Sequence, residues 1–305
     1  MFPIIPAGSA TVSGNQEGIF GFGATANETS DLTDATNLVS NSGVVATDVT
    51  GVGTARSGLA ATEFGGDKGI FGFGLVGSYV VVGMTNLVSN AGVVASDVSI
   101  VGTARRALGA CRYGDDTGIF GFGQIVTSNT RLSTTNLVSN TGVVASDQAA
   151  TTGTARNAVA ACEYGEDKGI FGFGDLPATA VGTTNLVSNT GVVASDTAAV
   201  GTARKDLAAC EYDGDKGIFS FGTPSSVTNL VSNVGVVQSD VTQVGTSRNV
   251  IAACEYGGDK GIFGFGTDGS STAITNLVSN AGVIASDQAA TTGTARKMLA
   301  ACSFN

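Results

Sequence analysis

The chain has no histidine and no tryptophan, and only 4 prolines and 15 basic residues among 305. Each shortage excludes something. Without histidine there is no Ser-His-Asp triad. Without histidine or paired cysteine spacing, a zinc-type ligand set is absent. A net charge of −10 with no basic stripe argues against phosphate-directed nucleic-acid binding. No apolar run approaches the roughly 18 residues of a membrane span, so no membrane insertion is expected. The opening M-F-P-I-I-P-A-G-S-A lacks the basic region and apolar core of a secretory signal. Synthesis in the cytoplasm without a signal peptide is the expectation.

What is present is repetition. Six near-copies of a unit of about 48 residues fill almost the whole chain. The copy from Gly153 reads G-T-A-R-N-A-V-A-A-C-E-Y-G-E-D-K-G-I-F-G-F-G, then a loop, then T-N-L-V-S-N-T-G-V-V-A-S-D. Glycine reaches 45 residues and hydrophobic residues 42%, a composition of short strands and tight turns rather than disorder. The five cysteines (Cys111, Cys162, Cys210, Cys254, Cys302) share one repeat position, and Thr62 takes that place in the first copy. Equivalent positions on neighbouring units lie beyond the Cα separation of about 4.4–6.8 Å that a disulfide spans. The cysteines therefore read as small buried thiols.

Each unit carries four strand candidates. The segment after the arginine (Arg56, Arg105, Arg156, Arg204, Arg248, Arg296) is small and apolar. A Gly/Asp turn leads to K-G-I-F-G-F-G, where alternation places Phe71 and Phe73 on one face and Ile70 and Gly72 on the other. Rings of one sheet can then fit against glycines and alanines of the next. T-N-L-V-S-N and G-V-V-A-S-D complete the unit through a hairpin turn. No apolar stripe of period 3.6 appears, which disfavours helix. Four strands per unit is the content of a propeller blade, so the expected fold is all-β, a six-bladed β-propeller of four-stranded antiparallel blades over residues 17–305. The chain begins its first clear strand at Gly18 and ends in Leu299-Ala300-Ala301-Cys302. The C-terminal strand is thus expected to complete the blade opened by the N-terminus, leaving no open edge. Residues 1–16 form a leader whose apolar start (Phe2, Ile4, Ile5) either packs on the propeller or docks into a partner.

The unit resembles the kelch family of propellers. A-R-x-x-L-A-A-C, I-F-G-F-G, T-N-L-V-S-N and V-V-A-S-D fill the places of its four strands over about 290 residues. The chain departs from that pattern in having G-F-G for the double glycine and no tryptophan. The copper site known on some kelch-like propellers needs histidines, and the sialidase Asp-box ends in tryptophan, so neither carries over. The wording G-I-F-G-F-G with T-N-L-V-S-N-T-G-V-V also looks like repeat proteins of tailed bacteriophages, especially of marine or cyanobacterial hosts. That resemblance implies a virion or host-contact protein.

Two sets of residues stand out. Each repeat has an aspartate (Asp48, Asp97, Asp147, Asp196, Asp240, Asp287) and an arginine eight or nine residues later. Buried arginine suits carboxylate pairing, so these pairs read as structural links repeated with the blade. Variation concentrates in the loop between G-F-G and T-N. Glu28, Asp31, Tyr79, Val81, Arg131, Asp175 and Asp268 are the candidate contact residues there. Asp213-Gly214-Asp215 lacks the acidic spacing of a calcium loop and reads as a turn. No catalytic residue, metal or cofactor is expected. The expected role is a non-catalytic structural or interaction protein of a virion, with other virion proteins as partners. The alternative is a carbohydrate-binding propeller contacting a host-surface glycan; another copy of the chain, in a homo-oligomer, is a further candidate partner.

Overall fold

A computed structural model describes residues 15–99, 102–149, 153–224, 227–288 and 293–304. The leader positions Phe2, Ile4 and Ile5 lie outside the described residues. Among the described residues the fold is all-β and antiparallel, and no helix is long and apolar enough to cross a membrane.

Six sheets repeat one plan. In sheet 2, Ala60–Phe64 pairs with Lys68–Gly72, which pairs with Met84–Val88. The middle strand forms because I-F alternates around glycines that let the next sheet approach. The tight turn before it uses left-handed Gly65 and Gly66, at φ 66° and 74°. Sheets 3, 4, 5 and 6 have first strands Gly109–Tyr113, Ala160–Tyr164, Ala208–Tyr212 and Ala252–Tyr256. Sheet 1 takes its first strand from the far end of the chain. Ala300–Ser303 pairs with Gly18–Gly21, with Gly18 opposite Ser303 and Gly21 opposite Ala300.

The expected fourth strand is mostly reduced. Among the described residues only sheets 2 and 5 carry it, as Val98–Ser99 and Val241–Thr242. Elsewhere single bridges remain, such as Thr36 with Val49 and Thr184 with Thr197. In every sheet an amide also tethers this segment: Asn37 Nδ2 donates to Ala46 O at 2.9 Å, and the equivalent asparagines do the same, including Asn86 and Asn229 in the two sheets that keep the strand.

The expectation that Phe71 and Phe73 share a face fails. Phe22, Phe73, Phe122, Phe173, Phe221 and Phe265 all have left-handed φ, between 60° and 66°. That turn breaks strand alternation. The two rings of each sheet therefore face opposite neighbours. Phe71 meets Phe22 of sheet 1, and Phe73 meets Phe120 of sheet 3. Six such contacts, with centroids 5.2–5.3 Å apart, run from sheet to sheet, and the last joins Phe265 to Phe20. The rings also occupy glycine hollows, as the pattern suggests. A Cβ on Gly72 would lie 2.7 Å from Phe120 Cζ, and one on Gly172 equally close to Phe219 Cζ. Sheet 5 has Ser220 at this place, and there the adjoining ring pair is tilted to 53° against 63–70° elsewhere.

The first strands neighbour one another from sheet to sheet, and that of sheet 6 neighbours Ala300–Ser303, which neighbours Ala60–Phe64. Just before each first strand sits one residue at left-handed φ: Gly58, Ala107, Ala158, Asp206, Val250 and Met298. Their backbones form a hydrogen-bond cycle. Ala107 N–H donates to Gly58 O, Ala158 to Ala107, Asp206 to Ala158, Val250 to Asp206, Met298 to Val250, and Gly58 to Met298, at 2.8–3.3 Å.

Candidate functional site

The repeated aspartates and arginines form one clasp per sheet, with partners other than those expected. Arg56 does not pair with Asp48, eight residues before it; its guanidinium lies 3.6 Å from Asp97. Asp48 instead faces Arg296 at 3.5 Å. Asp147 faces Arg105, Asp196 faces Arg156, and Asp287 faces Arg248. The seven or eight intervening residues cross from one sheet to the next, so the sequence neighbour is the wrong partner.

Each arginine is fully buried. Arg156 donates to Phe173 O at 2.7 Å, Thr154 O at 3.2 Å and Asn185 Oδ1 at 2.7 Å, and its guanidinium lies over the Phe122 ring of the previous sheet. Burial lowers these arginines to about 10. Asp196 accepts from Thr154 N, Thr154 Oγ1 and Asn185 Nδ2. Burial works to raise the clasp aspartates, but these hydrogen bonds outweigh it and hold them below the ordinary value. The glycine of G-T-A-R is needed as well: a Cβ on Gly153 would lie 2.6 Å from Asn185 Nδ2. Sheet 5 is the exception, because Asn229 Oδ1 has no partner and Arg204 reaches Phe219 O instead.

A second cluster sits toward the ends of the first strands. The five cysteines are free and buried. Each packs against the glycine of a neighbouring sheet; a Cβ on Gly169 would lie 2.5 Å from Cys111 Sγ. The next residue along is Arg112, Glu163, Glu211, Glu255 or Ser303, and these line a cavity of about 60 Å³; Glu63, which follows Thr62, meets Arg112 at 3.5 Å. Arg112 grips Glu163 with two bonds, at 2.6 and 2.7 Å. Burial raises Glu163 to about 7, against the pull of Arg112, and raises Glu255 to about 8. Burial drives Glu211 upward too, helped by Glu163 and Glu255. Among the described residues no group of side chains is arranged to hold a metal ion. Asp213 and Asp215 both reach Lys216, as in a turn.

At the opposite ends of the first strands lies a cavity of about 370 Å³. Its apolar lining is Leu59, Leu108, Val159, Leu207, Ile251 and Leu299, one from each sheet. Its charged lining comes from positions that differ between repeats. Arg106 meets Glu28 at 3.0 Å, and Arg131 and Lys205 both meet Asp175 at 3.1 Å. Asp206 also lines it, raised to about 6 by burial. Three expected contact residues, Glu28, Arg131 and Asp175, therefore converge here. Tyr79, about half exposed, lines an adjoining hollow that shares Glu28, Asp206, Val250 and Met298. The other three stay apart. Asp31 folds back on Asn27 N, Val81 pairs with Leu75 in a short hairpin, and Asp268 accepts from Ser270 N in an exposed turn.

Sequence reasoning missed Arg106, Lys205 and Asp206. The signal was present: the two residues after each repeated arginine read S-G, R-A, N-A, K-D, N-V and K-M, unlike pairs inside a nearly copied segment.

No known family model matches the chain, and no curated protein is detectably similar to it.

Proposed function

We propose that the six sheets are the blades of a closed, kelch-like β-propeller that acts without catalysis as a structural or interaction component of a tailed-phage particle, in its tail, fibre or capsid surface. Three series support closure: the aromatic contacts, the backbone cycle through Gly58 and Met298, and the pairing of Ala300–Ser303 with Gly18–Gly21. The virion assignment rests on the resemblance of the repeat's wording to phage repeat proteins. On this reading the chain is made in the cytoplasm and carried on the particle, and its partners are other virion proteins or a host surface.

One observation carries the functional part. The arginine, asparagine, aspartate, phenylalanine and glycine side positions that recur in the repeats are taken up by clasps and interlocks. The charged groups that converge on one cavity come from positions that differ between repeats. A rigid frame with unlike residues gathered at one place is built for contact.

The test uses purified particles probed with antibody against the chain, together with binding of the labelled protein to host cells. The expected result is surface labelling, with cell binding lost when the loop tips around Glu28, Tyr79 and Arg131 are replaced by Gly-Ser turns and unfolding is unchanged. Unlabelled particles, or cell binding indifferent to the loops, would reject the reading.

A further inference from the structure

The structure points to a single binding site for a neutral saccharide in the cavity beside Asp206. This inference deepens the proposed function and rests on the loop-lined cavity being the recognition end.

Charge makes the first selection. Arg106, Arg131 and Lys205 stand against Glu28, Asp175 and Asp206 around one cavity, three charges of each sign. A cationic ligand would meet three cations, an anionic one three carboxylates, and an apolar one would strip water from all six without replacing it. A neutral ligand with many hydroxyls meets none of these objections.

Unused hydrogen-bonding capacity makes the second. Glu28 and Asp175 are held by ion pairs, but no described residue donates a hydrogen bond to the Asp206 carboxylate. In the same lining, Arg106 Nε and Asn157 Oδ1 have no partner, but both atoms are closed off from solvent, so a ligand reaches them only as neighbouring side chains shift. The Asn157 amide is already oriented, because Nδ2 donates to Gln124 Oε1 at 3.1 Å. The site thus offers donors and acceptors side by side. A hydroxyl is both, so adjacent hydroxyls of one sugar can serve a carboxylate and a guanidinium together. The branched aliphatic side chains of the same cavity supply a surface for the C–H face of a pyranose. A volume of about 370 Å³ falls within the range of about 300–1,000 Å³ usual for small-ligand sites.

The site occurs once, not six times. At the left-handed position the other repeats have Gly58, Ala107, Ala158, Val250 and Met298, so Asp206 alone brings a polar side chain there. This placement also supplies a clean variant. Ala107 and Ala158 hold the same position at φ 53°, so Asp206→Ala keeps a backbone already used twice in the chain.

The experiment is a glycan array carrying neutral, sialylated, sulfated and uronate-containing glycans, probed with the full chain. The strongest neutral ligand is then titrated calorimetrically against the parent, Asp206→Ala and Lys205→Asn; asparagine stands at that place in two other repeats, as Asn157 and Asn249. The expected result is binding to a subset of neutral glycans, at least tenfold weaker in Asp206→Ala and also weakened in Lys205→Asn. A blank array, binding confined to charged glycans, or an Asp206→Ala variant that binds like the parent overturns the proposal. Loop-dependent cell binding with a blank array removes the saccharide alone; loss of both removes the contact reading as well.

Discussion

Replacing Arg156 with methionine tests the clasp in quantitative terms. Methionine keeps most of the stem and its packing but removes the guanidinium. Phe173 O and Asn185 Oδ1, whose bonds to Arg156 are buried, then lose their donor. Each buried acceptor left unpaired costs about 1–3 kcal/mol. Contact with the Phe122 ring, with Cζ 4.3 Å from its centroid, adds about 1 kcal/mol. The pair to Asp196 adds little, because it spans 3.7 Å and that carboxylate is a quarter exposed. Relief from burying a charge offsets part of the loss. The net expectation is about 3–5 kcal/mol, the usual cost of removing one member of a buried ionic group. Urea unfolding followed by far-ultraviolet circular dichroism measures it. Lys68→Met is the control; its ion pair is half exposed, so less than about 1 kcal/mol should change. Arg204→Met should cost less than Arg156→Met, because Asn229 Oδ1 is already without a donor in sheet 5. A loss below about 1 kcal/mol for Arg156→Met would refute the clasp as a major contributor.

Further outcomes follow from the same contacts. Stability should fall on both sides of mildly acidic pH. The clasp aspartates are lowered, so their contribution is present above the ordinary carboxylate value and lost as pH drops through their folded values. The buried glutamates are raised, so their contribution is full below the ordinary value and lost as pH rises through about 7 for Glu163 and about 8 for Glu255. Urea midpoints measured from pH 3 to 9 should therefore peak at about pH 4, and a maximum above pH 8 would contradict the burial of Glu211 and Glu255. Gly172→Ala should cost about 1–3 kcal/mol by forcing the Phe219 ring aside; a neutral substitution would mean the ring has room. Burial raises all five thiols, so a thiol reagent should modify none of them before unfolding; rapid labelling of the native protein would show that these strands open.

The strands were legible because K-G-I-F-G alternates and the repeat separates scaffold from loop. The fit of phenylalanine to glycine was legible for the same reason. Three features were not. Left-handed Phe73 escaped because a bulky aromatic rarely takes that conformation; here burial and the Arg105 guanidinium over its ring hold it. The partner of Asp97 escaped because Arg56 lies 41 residues before it, while Arg105 lies only eight residues after. The cavity was half legible. Loop variation pointed to Glu28, Arg131 and Asp175, but Lys205 and Asp206 stand where strand continuity was expected.

Closure is the central claim, and distances between repeats test it most directly. Val44, Val93, Val143, Val192, Val236 and Val283 occupy the same place in the six repeats, each 58–65% exposed. Spin labels placed in pairs at these positions report separations by pulsed electron resonance. A closed ring requires Val44–Val93 and Val44–Val283 to be equally short, Val44–Val143 and Val44–Val236 to match, and Val44–Val192 to be the longest. Separations that grow steadily from Val93 to Val283 would show an open array and contradict the account.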